Sequence, residues 1–395
     1  MNKHFFIFFF TLQALAFPSR CLKDFKKLTP GELRYVTEGF QKKHNTRYSV
    51  EIDQTRVSDQ CGYGSCWVHA RLSHLEEDIK RRMGKEIPMS RHFVIAQSLL
   101  DRIDEALQTP HASIFQGGNS QYADRLIKSY GMVPDDPSIW KPRVQFEKSP
   151  HAGRLVYFLN ARAAQFHEDA KDLAPESKAY LDLQDAARKE MRDILRTYTG
   201  TLPKKFVIDG KSYTPKSFAK TVLKDANENP LLVYPEVKPL TGNLRKETSV
   251  TEAPLPDKPK SSRESIEKME KRIIRALQNG QSVTLSYENN THFVDRDSGI
   301  MSIEAFNTPK GFSPPPKLYR DAFMRDSGYH AVDIVGADLD PEGRIIKLKI
   351  KNSWGVTSGD HGYYHMYRDY FESFVNSIYI SDSGSPSQLP EGGSR

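Results

Sequence analysis

Residues 60–67 read Gln60-Cys61-Gly62-Tyr63-Gly64-Ser65-Cys66-Trp67, a glycine-rich turn that leads straight into a helical pattern. An apolar stripe follows at helical spacing and consists of Val68, Leu72, Leu75 and Ile79. No proline interrupts the chain before Gly84, a residue suited to the left-handed position that ends many helices. The sequence therefore predicts a helix that begins near Cys66 and ends near Gly84.

Cys66 is a candidate nucleophile at the start of this helix. Free N–H groups and the helix dipole stabilise an anion there, so the thiol is expected to ionise more readily. Gln60 lies six residues earlier and could donate its side-chain amide to an oxyanion. Two alternatives remain open from the residues alone. Cys66 could be a small buried apolar residue, or it could bind zinc with Cys61, His69 and His74, although five-residue spacing turns the two histidines apart on a helix.

The composition predicts a soluble globular protein of one large or two moderate domains. The chain has 395 residues, of which 38% are hydrophobic and 27% charged. Its net charge of +7 is spread over segments that also carry acidic residues, so nucleic-acid binding is not expected. Three cysteines exclude a disulfide scaffold, although Cys21 and Cys61 could pair in an oxidising compartment.

The first sixteen residues have the pattern of a secretory signal peptide. Lys3 precedes an apolar run from Phe5 to Ala16 that ends in Ala-Leu-Ala. The run is too short for an ordinary membrane span, so no stable span is expected after cleavage. We expect a mature chain that starts near Phe17 in a secreted or periplasmic setting, with an uncleaved anchor or a buried strand as the alternative.

Local signals divide the rest of the chain. Residues 17–59 are predicted to form an N-terminal arm, residues 60–380 one domain and residues 381–395 a flexible tail. Ser90 can cap a second helix, and the Gln116-Gly117-Gly118-Asn119 break precedes a third helix over 120–130 that Gly131 stops. Further predictions are a helical insertion at about 140–235 with a break at Pro175, a flexible loop at about 237–262, a helix over 264–279 and a strand over 281–287.

A strand, a turn and a second strand are predicted over residues 329–355. Residues 330–336 are rich in β-branched side chains, and residues 338–343 carry the Pro and Gly of a tight turn. In the second strand three apolar residues alternate with Lys347, Lys349 and Lys351, so the lysines are expected to face water. The same alternation places Asn352 on the inward, apolar face.

Folding this segment about its turn brings His330 and Asn352 within about one position of each other. The Asn352 oxygen could then accept a ring N–H and orient His330 to take a thiol proton. Trp354 could cover that hydrogen bond from water. Without a nucleophile elsewhere, His330 would be an ordinary strand histidine; the presence of Cys66 favours the catalytic interpretation.

These motifs together resemble the papain-like cysteine peptidases. The resemblance rests on Gln60, on Gly64-Ser65-Cys66-Trp67, on His330-Ala331 and on Asn352-Ser353-Trp354-Gly355, in that order. It implies that Cys66 is the nucleophile, His330 the general base and acid, Asn352 the residue that orients His330, and Gln60 the oxyanion donor. Gly117 and Gly118 resemble the strip where such enzymes bind the substrate backbone, and Trp354 is assigned to the same substrate-binding region.

Within that family the chain is most similar to the bleomycin hydrolase and aminopeptidase C branch. His330 lies 264 positions after Cys66, much further than in papain itself, and that branch carries a long helical insertion in this interval. The resemblance implies an α+β, papain-like two-lobe fold, with a helical lobe, a β-rich lobe and a helical insertion. The branch is typically cytoplasmic and its C-terminal tail restricts cutting to substrate N-termini; this chain carries an export pattern and a Ser/Pro/Gly-rich end instead.

We therefore expect a secreted cysteine peptidase that acts on peptides or proteins and needs no metal or organic cofactor. Aminopeptidase and endopeptidase activity both remain open, as does the oligomeric state. One alternative is a catalytically inactive binding protein with the peptidase fold. Another is an acyl transferase that uses the same thioester chemistry.

Overall fold

The structure is a computed structural model that describes residues 35–146, 152–223, 230–236, 260–323 and 328–381. The predicted signal peptide, Cys21, most of the predicted flexible loop at 237–262 and residues 382–395 of the predicted tail lie outside the described residues. Among the residues that are described, no helix combines the length and the apolar character needed to cross a membrane.

The described helices form most of the first half of the chain. In chain order they are α1 (Glu38–Lys43), α2 (Cys66–Met83), α3 (Arg91–Gln108), α4 (Ser120–Tyr130), α5 (Ala152–Asp169), α6 (Lys178–Thr199), α7 (Pro215–Val222), α8 (Ile266–Gln278), α9 (Lys317–Phe323) and α10 (Arg368–Phe374). The strands are β1 (Val50–Glu51), β2 (Phe206–Ile208), β3 (Lys211–Tyr213), β4 (Pro230–Pro235), β5 (Lys260–Glu264), β6 (Val283–Glu288), β7 (Ile300–Met301), β8 (Tyr329–Leu339), β9 (Ile345–Lys351), β10 (Tyr363–Tyr367) and β11 (Val375–Ser381).

The predicted helix boundaries are confirmed where a local signal marks them. Gly84 adopts φ +68° after α2 and donates its N–H to the Lys80 carbonyl. The Ser90 hydroxyl accepts the Phe93 N–H at the start of α3, and α4 ends directly before Gly131. The predicted break near Pro175 separates α5 from α6.

One large sheet carries the second half of the chain. Its described strands are ordered β5-β4-β11-β6-β8-β9-β10-β7, and β1 pairs with β8. All neighbours are antiparallel except the β4–β5 and β7–β10 pairs. Helix α2 packs against β8, so the helical core and the core of the β lobe meet along this contact.

Two predictions about the insertion need correction. Residues 260–262 were expected in the flexible loop, but they belong to β5, which pairs in parallel with β4. Residues 230–235 were expected to close the helical insertion, but as β4 they pair with β11 inside the large sheet. Both strands depend on partners that are distant in sequence, so local composition does not reveal them.

The prediction that the β9 lysines face water is wrong for two of them. Lys347 and Lys351 are 1% and 4% exposed, whereas Ile346 is 40% exposed. The Lys347 amine donates to Asp338 at 2.7 Å and to Asn45 at 3.1 Å, in the segment before β1. Since both faces of β9 are covered, the alternation of side chains no longer separates buried from exposed positions.

Candidate active site

Cys66 is the first residue of α2, and the turn before it is held by a hydrogen bond to a residue distant in sequence. The Gly64 N–H donates to the Gln116 side-chain oxygen at 2.8 Å, and the Ser65 carbonyl receives the first N–H groups of the helix. The Cys66 thiol lies against the backbone N–H of Ala331, the residue that follows His330 in β8. The nucleophile candidate and the base candidate are thus brought to the same place by the α2–β8 contact.

Burial raises the pKa of the Cys66 thiol, although the N–H groups of Ala331, Trp67 and Cys66 itself lower it in part. The expectation that the helix N-terminus makes this thiol ionise readily is therefore wrong for the protein without substrate. Burial away from water destabilises the thiolate more than the nearby N–H groups stabilise it.

His330 and Asn352 make the predicted contact. The Nε2 atom of His330 lies 2.9 Å from the Asn352 Oδ1 atom, and the same oxygen accepts the Ser353 N–H at 2.7 Å. An amide oxygen can only accept, so Nε2 must carry the ring proton. The Nδ1 atom of neutral His330 is then unprotonated and can take a proton.

Aromatic rings enclose His330. Trp354 stacks on it with ring centroids 4.8 Å apart, and Tyr287 meets it edge-on at 5.8 Å. Burial lowers the pKa of His330 to about 4; the bond to Asn352 acts against this, and the charges of His69 and Arg296 add to it. Burial therefore favours a neutral imidazole beside a neutral thiol before substrate binds.

Gln60 is buried and its amide has one defined orientation. The Ser353 hydroxyl donates to the Gln60 Oε1 atom at 2.6 Å, and the Gln60 Nε2 atom donates to the Tyr63 carbonyl at 2.8 Å. A second N–H of Nε2 remains for an oxyanion. Sequence reasoning gave Ser353 no role, although its position between Asn352 and Trp354 placed it in the right segment.

The Gly117–Gly118 segment lies against Trp67. The Trp67 indole N–H donates to the Gln116 carbonyl at 3.0 Å, and a Cβ atom on Gly118 would approach the Trp67 ring to 2.6 Å. The Arg102 guanidinium holds the other side by donating to the Phe115 and Gly117 carbonyls. Close packing against the first turn of α2 thus requires glycine at position 118.

A cavity of about 160 Å³ separates this segment from the sheet. Its walls are uncharged and include Gly118, Ala331, Tyr234 from β4, and Ser377 and Tyr379 from β11. Ala331, which lines this cavity, also contacts the Cys66 thiol through its backbone N–H. Sequence analysis did not identify this cavity, since β4 and β11 meet there only in the folded sheet.

The zinc alternative finds no support in the side-chain arrangement. His69 bonds the Ser58 hydroxyl at 2.8 Å, and His74 bonds the Ser282 hydroxyl at 3.0 Å. Within the described ranges, no group of three or more His, Cys, Asp or Glu side chains is placed to hold a metal ion.

Comparison with known proteins identifies the class to which this fold and site belong. Residues 94–391 match the peptidase C1-like family, and the chain belongs to that family. The match includes His330 and Asn352 and begins after Cys66. The protein is accordingly a cysteine peptidase.

Individual relatives agree with this assignment. The chain is 22% identical to the mitochondrial cysteine proteinase 1 of Saccharomyces cerevisiae, over 88% of this chain and 80% of the relative. It is 24% identical to aminopeptidase C of Lactobacillus helveticus, over 87% and 83%. The predicted resemblance to the aminopeptidase C branch is confirmed.

The crystal structure of PepW from Lactobacillus rhamnosis HN001 superposes with a TM-score of 0.69 at 20% identity. The superposition covers 94% of this chain and 94% of the PepW chain. The predicted α+β, papain-like fold is confirmed by this likeness.

Proposed function

We propose that this protein hydrolyses peptide bonds through Cys66, His330 and Asn352, in an aminopeptidase-like manner. The observation that carries the proposal is the His330–Asn352 bond, which leaves Nδ1 unprotonated on a residue next to the amide that contacts the Cys66 thiol. The names of the relatives support the aminopeptidase part of the proposal.

In the first half of the proposed reaction the Cys66 sulfur attacks the peptide carbonyl carbon while its proton passes to His330 Nδ1. The carbonyl oxygen becomes an oxyanion that the Gln60 amide and the Cys66 N–H stabilise. His330 then gives the proton to the departing amine, and the C–N bond breaks to leave a thioester on Cys66.

In the second half a water molecule attacks the thioester carbonyl and gives one proton to His330. The C–S bond breaks, the acid product leaves, and the proton returns from His330 to the sulfur. Asn352 keeps the imidazole oriented throughout, and Trp354 limits the access of water to their hydrogen bond.

Mass-mapped alkylation of the reduced protein with iodoacetamide tests the proposed pair. In the wild type, the unprotonated Nδ1 atom of His330 can take the thiol proton while the sulfur attacks the reagent, so Cys66 is expected to react at least about tenfold faster near pH 6.5 than in His330→Ala. In the variant, burial alone keeps the pKa of Cys66 raised, so its labelling should become appreciable only at higher pH.

Cys61 provides the internal control, because it is an exposed thiol in the same turn and its labelling rate should be the same in both proteins. Equal labelling of Cys66 in both proteins would refute the pair and favour the binding-protein alternative. A peptide library with free and acetylated N-termini then separates aminopeptidase from endopeptidase cutting. Diversion of product by added amines would indicate acyl transfer.

Export is a further part of the proposal and is supported by the pattern of residues 1–16. Mass analysis of protein recovered from outside expressing cells is expected to find an N-terminus near Phe17. Intact protein retained inside those cells would refute it.

A further inference from the structure

Arg296 lies in the loop between β6 and β7, and the backbone of this loop is hydrogen-bonded to the β lobe. The Gly359 N–H donates to the Arg296 carbonyl at 2.7 Å, and the Gly299 N–H donates to the Asp295 carbonyl at 2.9 Å. Gly299 itself has φ +75°, and a Cβ there would lie 2.7 Å from the Tyr363 carbonyl oxygen. The backbone position of Arg296 is therefore well defined although its side chain is exposed.

The Arg296 side chain reaches the edge of the candidate site. Its guanidinium carbon lies 5.2 Å from the centroid of the Trp354 ring, and Trp354 stacks on His330. A cation, an indole and the catalytic imidazole thus follow one another in contact.

The charge of Arg296 has no ion-pair partner among the residues that the structure describes. Its neighbour Asp295 accepts instead from the Ser298 hydroxyl at 2.6 Å and from the Asp297 N–H at 3.4 Å. An exposed guanidinium beside an active site is suited to bind a carboxylate, because its parallel N–H groups match two carboxylate oxygens.

The chemistry of the proposed reaction determines which part of a substrate meets this cation. His330 protonates the departing amine, so the first atoms of the leaving segment must lie beside the imidazole. We place the acyl part on the other side, along the uncharged cavity that Gly118 and Ala331 line. The leaving segment therefore continues across Trp354 toward Arg296.

We propose, on the basis of the proposed function, that Arg296 makes this peptidase prefer leaving segments that carry a carboxylate. That carboxylate is either the free C-terminus of a short leaving segment or an Asp or Glu side chain within it. Arg296 acts as a specificity-determining residue and takes no part in the bond-breaking steps.

A second observation agrees with this role. The charge of Arg296 is one of the causes that lower the pKa of His330. A carboxylate bound to Arg296 would offset this charge and so raise the pKa of His330. The imidazole would then hold more of the proton that it passes to the leaving amine.

Matched peptides with one acyl segment and four leaving segments test the proposal. The acyl segment is one that the wild type releases from an arylamide; the leaving segments are Gly-amide, Gly with a free carboxylate, Gly-Gln-amide and Gly-Glu-amide. The wild type should cleave one or both carboxylate-bearing peptides with a kcat/KM about three- to fivefold above the matched neutral peptide, as for an exposed ion pair. In Arg296→Gln the ratio of kcat/KM for each carboxylate-bearing peptide to kcat/KM for its neutral counterpart should fall toward one. In Arg296→Lys this ratio should lie between the values for the wild type and Arg296→Gln.

Arg154→Gln is the control, because it removes an equal charge from an exposed position on α5 and should keep the wild-type ratios. Preference for the free carboxylate alone would identify the substrate C-terminus as the ligand, and preference for Glu would identify a side chain. Equal ratios in the wild type and Arg296→Gln, with all peptides cleaved, would overturn this inference alone. Failure of the wild type to cleave any peptide or arylamide would overturn the proposed function and the inference with it.

Discussion

Replacing Cys66 with alanine is expected to lower kcat for peptide hydrolysis by more than about 10⁴-fold, because no other group can form the thioester. Cys66 is the first residue of α2 and its thiol takes part in no ion pair of the described structure. The alanine variant should therefore unfold at nearly the wild-type urea concentration. Steady-state hydrolysis and urea unfolding, measured on the same preparations, check both parts.

Cys61→Ser is the matched control, since it removes the exposed thiol of the same turn and leaves Cys66 in place. It is expected to retain wild-type turnover. A Cys66→Ala protein that still hydrolyses peptides at a rate near that of the wild type would show that another residue performs the attack.

Replacing Lys351 with methionine is expected to lower the free energy of unfolding by about 3–5 kcal/mol, as when a buried ion pair loses one partner. The Lys351 amine donates to Glu77 at 2.9 Å and to the Thr55 hydroxyl at 2.7 Å. Glu77 is 2% exposed, so its carboxylate would be left buried without a cation, next to the completely buried carboxyl group of Asp333. The midpoint of urea unfolding at pH 7 measures the loss.

Lys349→Met is the control on the same strand. Lys349 pairs with Glu51 at the surface, and the loss of an exposed pair should cost less than about 1 kcal/mol. Similar losses in the two variants would contradict the proposed importance of burial.

Asp333→Asn tests the contribution of the second buried carboxyl group near Lys351 and Glu77. Burial first, and then the charge of Glu77, raise the pKa of Asp333 well above its usual value. The folded state thus keeps a proton that the unfolded chain releases above about pH 4, and its stability declines as pH rises. The asparagine variant should lose less stability than the wild type between pH 5 and pH 8.

Much of the helical lobe could be predicted because its signals are local. Ser90 caps α3 through its own hydroxyl, and Gly84 ends α2 by adopting a left-handed conformation. Such interactions involve residues three or four positions apart, so a pattern in the sequence is sufficient to find them. The contact between His330 and Asn352 could be predicted for a similar reason, since a single turn joins their strands.

The remaining features depend on residues that meet only in the folded chain. Lys347 and Lys351 look like solvent-facing strand residues until the segment before β1 and the helix α2 cover them. Likewise, the raised pKa of Cys66 results from burial against β8, whereas the sequence displays only the helix start. Neither the cavity beside Ala331 nor the role of Ser353 in orienting Gln60 has a local signature.

The position of β11 in the sheet bears on the order in which the cavity wall can be assembled. Although β11 comes late in the chain, it lies between β4 and β6, and Ser377 and Tyr379 form part of the cavity wall. During synthesis, at about 5–20 residues per second, Cys66 and His330 leave the ribosome before this strand. A nascent chain therefore contains Cys66 and His330 before it contains the β11 residues of the cavity wall. Under the proposed function, we expect this wall to form only after β11 has been synthesised and has paired with β4 and β6.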